Sequence, residues 1–177
     1  MKKVISALLV FVFVFAMFGC SGSSTADSEQ TTDIPADALP PILGVHIVNG
    51  DTAGFYALTK SGTYSWIKEF DENGEAVEIE IADGFFCLDM DNICTFNRES
   101  AGKSIDLKFT GAVESYKIYS AETSVFTDKE KSEIISDEYL VSTNQSKIVF
   151  PESGEYYYVV DVKYKQGDIS YGFLLAE

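Results

Sequence analysis

The chain has 177 residues, 46% of them hydrophobic and 14% aromatic, with 28 acidic against 13 basic residues and a net charge of −15. That length allows one domain with a substantial core, and that charge disfavours nucleic acid and anionic lipid surfaces as electrostatic partners. Three cysteines and a single histidine leave little material for a zinc site or a His-based triad.

Lys2 and Lys3 open the chain, and an apolar run from Val4 to Phe18 follows, broken only by Ser6. A basic start followed by an apolar run shorter than the roughly 18 to 20 residues that span a bilayer is the pattern of a secretory signal. The run ends on Phe18-Gly19-Cys20-Ser21. This resembles the bacterial lipoprotein signal, in which a small residue precedes a cysteine that receives a diacylglyceryl group before cleavage. Met17 stands where Leu is more usual, and Phe18 is bulkier than the common Ser or Ala. The resemblance implies cleavage after residue 19 and a lipid anchor on Cys20, at the extracytoplasmic face of the cell membrane. Two or more acyl chains hold a soluble domain there far more firmly than one.

Residues 20–40 are rich in Ser, Thr, Asp and Pro and poor in large apolar side chains. Such a segment buries too little surface to order itself, and as a flexible coil of about 20 residues it reaches roughly 25 Å. The expected organisation is therefore a signal peptide over 1–19, lipidated Cys20 with a linker over 20–40, and one folded domain over 41–177. That domain holds 24 acids against 11 bases, a charge of −13.

Within the domain, short strands are expected at 42–48 and 55–59, followed by a hairpin. "TYSWIKEF" leads through "DENG" into "EAVEIEIA". With Asn73-Gly74 as a type I′ turn, Phe70 faces Val77 and Trp66 faces Ile81, while Glu69, Glu78 and Glu80 point the other way. Further strands are expected at 105–109, 115–119 and 146–150. Residues 127–139 are the only place for a turn or two of helix. The C-terminal pattern is the strongest, because Tyr156, Tyr158, Val160, Val162 and Tyr164 alternate with Tyr157, Val159, Asp161, Lys163 and Lys165. Period-2 alternation buries one strand face and wets the other. A turn at Gln166-Gly167 would pair Tyr164 with Ile169, Val162 with Tyr171, Val160 with Phe173 and Tyr158 with Leu175. Many short strands between Gly, Asn and Asp turns predict an all-β, antiparallel, immunoglobulin-like sandwich with at most one short helix. Gly154 and Tyr156 stand where such sandwiches place a corner tyrosine.

The order of "GTYSW" (62–66), a central variable stretch, and a closing Gly154, Tyr156, Tyr171 and Phe173 resembles a group of small lipoproteins of Gram-positive Firmicutes. The resemblance implies a membrane lipoprotein with a β-rich domain. Its motifs are aromatic rather than catalytic, so it carries no active site across.

His46 lies inside an apolar strand pattern, where a surface or hydrogen-bonded strand residue is the default. No G-x-S-x-G elbow, paired-cysteine zinc spacing or phosphate-binding glycine loop is present. Cys87 and Cys94 flank "LDMDNI", and outside the cell they could close a disulfide loop displaying Asp89 and Asp91. Read as a calcium loop, the stretch from Asp89 lacks the glycine at position 6 and ends on Ser100 where a Glu is required. The aromatics Tyr64, Trp66, Tyr116, Tyr119 and Tyr157 could pack the core or form a sugar- or peptide-binding platform, with Tyr157 best placed on the wet face. These features predict a lipid-anchored, non-enzymatic binding or accessory module, without cofactor or metal, whose partner is a membrane or cell-wall protein, a peptide or a glycan. The alternatives are a protease-inhibitor-like domain presenting the 87–94 loop and a hydrolase built on two carboxylates.

Overall fold

The structure, a computed structural model, describes residues 40–58, 64–82 and 85–177. The signal segment, Cys20, most of the linker, and Gly62 and Thr63 of the GTYSW stretch lie outside the described residues.

Two sheets face each other. The first is built from β1 (Leu43–Asn49), β2 (Thr52–Leu58), β6 (Ser104–Phe109) and β9 (Lys147–Val149), in the order β2-β1-β6-β9. The second contains β3 (Tyr64–Phe70), β4 (Ala76–Ala82), β7 (Val113–Glu122), β8 (Leu140–Thr143), β10 (Tyr156–Tyr164) and β11 (Gly167–Ala176), in the order β4-β3-β11-β10-β7-β8. The architecture is the expected β-sandwich with one departure: β5 (Cys94–Asn97) runs parallel to the end of β11.

Alternation explains the core. Leu43, Val45 and Ile47 of β1 and Ile105 and Leu107 of β6 meet Tyr158, Val160 and Val162 of β10 and Ile169, Tyr171, Phe173 and Leu175 of β11. The Tyr158 and Phe173 rings stack with centroids 4.8 Å apart, and Phe96 meets Phe173 edge-on at 5.3 Å. Each such side chain removed from water stabilises the fold by about 1.5–3 kcal/mol. The opposite face of the second sheet is only partly wet. There Tyr119, Ala121 and Val159 are buried with Cys87, Leu88, Phe126 and Ile134, so the 86–93 loop and the segment after β7 roof its centre.

That roof is where helix was expected, and it consists of three short 3-10 turns, Thr123–Phe126, Lys131–Ile134 and Asp137–Tyr139. Among the described residues the single α-helical turn, α1 (Arg98–Ala101), lies elsewhere, capped by the Asn97 side chain accepting from the Glu99 amide at 2.9 Å. At the expected corner, a Cβ on Gly154 would lie 3.1 Å from the Tyr156 ring, and the Tyr156 hydroxyl donates to Glu122 Oε1 of β7 at 3.0 Å. Arg98 completes the corner by donating to the carbonyls of Pro151 and Gly154.

Both expected hairpins form, each in a different register. In β10–β11, Tyr164 pairs with Gly167, Val162 with Ile169, Val160 with Tyr171 and Tyr158 with Phe173, a shift of two residues. The turn is Lys165-Gln166. Gly167 serves the sheet rather than the turn, because a Cβ there would lie 2.0 Å from the Ser65 carbonyl oxygen of β3. In β3–β4, Trp66 pairs with Glu80 rather than Ile81. A slip of one residue inverts every side chain of a strand, and Val77, Ile79 and Ile81 accordingly face solvent.

Candidate functional site

The structure separates some of the expected site residues and joins others. Cys87 is buried in the roof cluster, whereas Cys94 is half-buried against the main core on the other side of the sheet, so the proposed disulfide does not form. Burial pushes the Cys94 thiol above its ordinary pKa. Leu88 is buried as well, which leaves residues 89–92 as a short surface turn rather than a protruding loop.

Tyr157 and Asp89 do converge, through a residue that sequence patterning passed over. The Lys131 ammonium donates to the Leu88 carbonyl at 2.8 Å, lies 3.5 Å from Asp89 Oδ1, and sits 5.2 Å from the centroid of the Tyr157 ring. Phe126 packs on Tyr157 as well, with centroids 6.0 Å apart. Tyr157 is therefore an anchor for the roof, not an open platform, and Asp91 lies exposed on the neighbouring turn. Tyr64, Trp66 and Tyr119 are buried, and the Tyr116 ring packs tilted against Phe109 with centroids 4.4 Å apart. His46 lies half-buried on β1, opposite Phe55 of β2 and Asp106 of β6. Among the described residues, no group of three or more His, Cys, Asp or Glu side chains is placed to hold a metal ion. A cavity of about 420 Å³ between Arg98, Lys103 and Phe150 borders the corner that Arg98 already clamps.

The feature with the strongest claim to function is the β3–β4 ribbon. It is rooted by Ser65–Asp168 and Trp66–Gly167 pairing to β11 and by the Ile67 amide donating to the Gln166 carbonyl at 2.8 Å. Beyond that point β3 runs on past the β10–β11 turn, where the Lys165 ammonium lies 5.4 Å from the Phe70 centroid. The tip is closed by Asp71, whose Oδ1 accepts from the amides of Asn73 and Glu75, each at 2.8 Å. These bonds, the Glu75 amide first, hold the Asp71 carboxyl below its ordinary pKa. The loop therefore has five residues with Gly74 at φ 81°, not a two-residue turn.

β4 is the last strand of its sheet, and among the described residues its one strand neighbour is β3. Its outer row is apolar, with Val77 61%, Ile79 51% and Ile81 71% exposed. Its other row carries Glu78 and Glu80, both 3.4 Å from the Lys68 ammonium, and Glu80 accepts from the Tyr64 hydroxyl. The two glutamates raise the Lys68 pKa, Glu78 foremost. Residues 64–82 hold six carboxylates against that one lysine, a charge of −5. Sequence patterning found both rows but assigned them to the wrong faces.

Compared with protein-family models, curated proteins and solved structures, the chain shows no significant match.

Proposed function

We propose that the protein is a lipid-anchored, extracytoplasmic binding module, non-enzymatic in action, with the β3–β4 ribbon as its recognition element. The observation that carries this reading is the exposure of Val77, Ile79 and Ile81 along one edge strand. Burial of such side chains is worth about 1.5–3 kcal/mol each, and open sheet edges invite pairing with other chains, so folds usually blunt them. Among the described residues β4 has no second strand neighbour, and its exposed apolar row is a surface open to a partner. The anchor part of the reading rests on the resemblance of residues 17–20 to the lipoprotein signal, and the linker would hold the domain near the membrane.

The test uses the full-length chain in its own membranes, with a photoreactive residue at position 79 or, as control, at position 147 on the other sheet. A discrete protein adduct from 79 only, diminished when Cys20→Ala releases the chain from the membrane, is the expected result. Equal adducts from both positions, or none from 79, would count against the reading.

A further inference from the structure

Resting on the reading of the ribbon as the recognition element, we infer that its occupant is an extended segment of another protein, added to β4 as a strand, with apolar residues alternating with Lys or Arg. Added strands gain affinity from main-chain hydrogen bonds and specificity from alternate side chains. Both halves of that recognition are present on β4. One row offers Val77, Ile79 and Ile81 to apolar side chains, and the other presents the exposed Glu78 carboxylate to cations, with Glu80 beside it.

A second copy of the chain fits this edge poorly. Antiparallel pairing of β4 with itself centred on Ile79 sets Glu78 opposite Glu80 of the second copy. Centring on Glu78 or Glu80 sets a glutamate opposite itself. Shifting by one residue places glutamates among the apolar residues on the same face. Like charges directly opposed destabilise a strand pair, and two ribbons of −5 on domains of −13 repel at longer range as well. A basic strand avoids each of these costs. Lys68 bridges Glu78 and Glu80, and Glu80 accepts from the Tyr64 hydroxyl, whereas the Glu78 side chain stays 59% exposed and stands opposite Glu69. The surrounding Asp71, Glu72 and Glu75 add an acidic tip that attracts cations during approach.

The test measures fluorescence anisotropy of short labelled peptides added to the full-length chain on uncharged lipid vesicles. The probes are an alternating Lys-Val peptide, an alternating Glu-Val peptide, and a Lys-Val peptide of the same composition in two blocks. The alternating basic peptide should bind at least about tenfold more tightly than either control, the ratio that a few matched against mismatched cross-strand charge pairs supply. Ile79→Lys should abolish that preference. The double variant Glu78→Lys, Glu80→Lys should reverse it toward the acidic peptide. Ile79 and Glu78 are exposed and Glu80 is half-buried, so an unchanged circular dichroism melting curve is required of each variant; Ile81→Lys replaces Ile79→Lys, and Glu78→Lys alone replaces the double variant, if it is not folded. Binding that survives Ile79→Lys removes the edge from the inference, and equal binding of all three peptides removes the charge pattern. Reversible dimerisation abolished by Ile79→Lys would make the occupant a second copy and overturn the inference. Absence of peptide binding while position 79 still forms its membrane adduct overturns the strand chemistry alone, whereas loss of both overturns the binding reading as well.

Discussion

The two long hairpins of the second sheet differ in one respect that decides their fates. In β10–β11 the strands sit two residues from the register that alternation and a Gln166-Gly167 turn predict, yet every side chain keeps its predicted face. In β3–β4 the difference is a single residue, and Val77, Ile79 and Ile81 move from core to solvent. Even slips preserve a strand's amphipathic sense and odd slips invert it. β10–β11 is locked between β7, β3 and β5 with its inner face in the core, so burial fixes its sense. Among the described residues β3–β4 has one sheet neighbour over two residue pairs, so its own loop and the register shifts on either side of Glu69 set its register instead.

That contrast can be broken by experiment, beginning where the effect is greatest. Phe173→Ala, which removes a fully buried ring between Tyr158 and Phe96, should cost about 3–5 kcal/mol in urea unfolding. Ile79→Thr should cost less than about 0.5 kcal/mol; comparable losses would mean that the ribbon is part of the core. Gly167→Ala forces a Cβ onto the Ser65 carbonyl and should cost about 1–3 kcal/mol, with hydrogen exchange accelerating in β3 more than in β10.

Burial raises the pKa of the Tyr158, Tyr164 and Tyr171 hydroxyls above the ordinary tyrosine value, Tyr171 most strongly. Because the folded values lie above the unfolded value near 10, the stabilisation is complete below about pH 10 and declines as pH rises further. Each tyrosine removes up to about 1.4 kcal/mol per pH unit there. Absorbance at 295 nm should show these phenolates forming only together with unfolding. Early ionisation at constant fold would contradict their burial. The smallest effect belongs to the ribbon tip. Asp71 is held below its ordinary pKa, so its contribution is present above about pH 4 and lost as pH falls through its folded value. Asp71→Ala should speed exchange of the Asn73 and Glu75 amides at neutral pH and leave the urea midpoint of the domain unchanged.

Alternation and turn residues made the sandwich legible, along with most strand positions and the burial of Tyr158, Val160, Val162 and Tyr171. Four kinds of information escaped them. Gly167 looked like a turn glycine, whereas its missing side chain serves the close approach of β3, a non-local demand. Asp71 captures two amides and closes a five-residue loop where a two-residue turn was expected, an odd difference that inverts β4. Lys131, in a charged stretch without period, reaches across the roof to Leu88, Asp89 and Tyr157. The short strands β5 and β8, four residues each, carry too few residues for alternation to register. The candidate site was therefore visible as a pattern of apolar and acidic residues, while its orientation was not.

We propose that β4, an edge strand among the described residues, takes a basic, extended partner strand. Hydrogen–deuterium exchange of the full-length chain, alone and with the alternating Lys-Val peptide, tests it most directly. The β4 amides should exchange far faster than those of β10 and β11 in the free protein, and slow on adding the peptide while β10 and β11 stay unchanged. Protection of β4 equal to that of β10 without peptide, or no slowing with it, would contradict the claim.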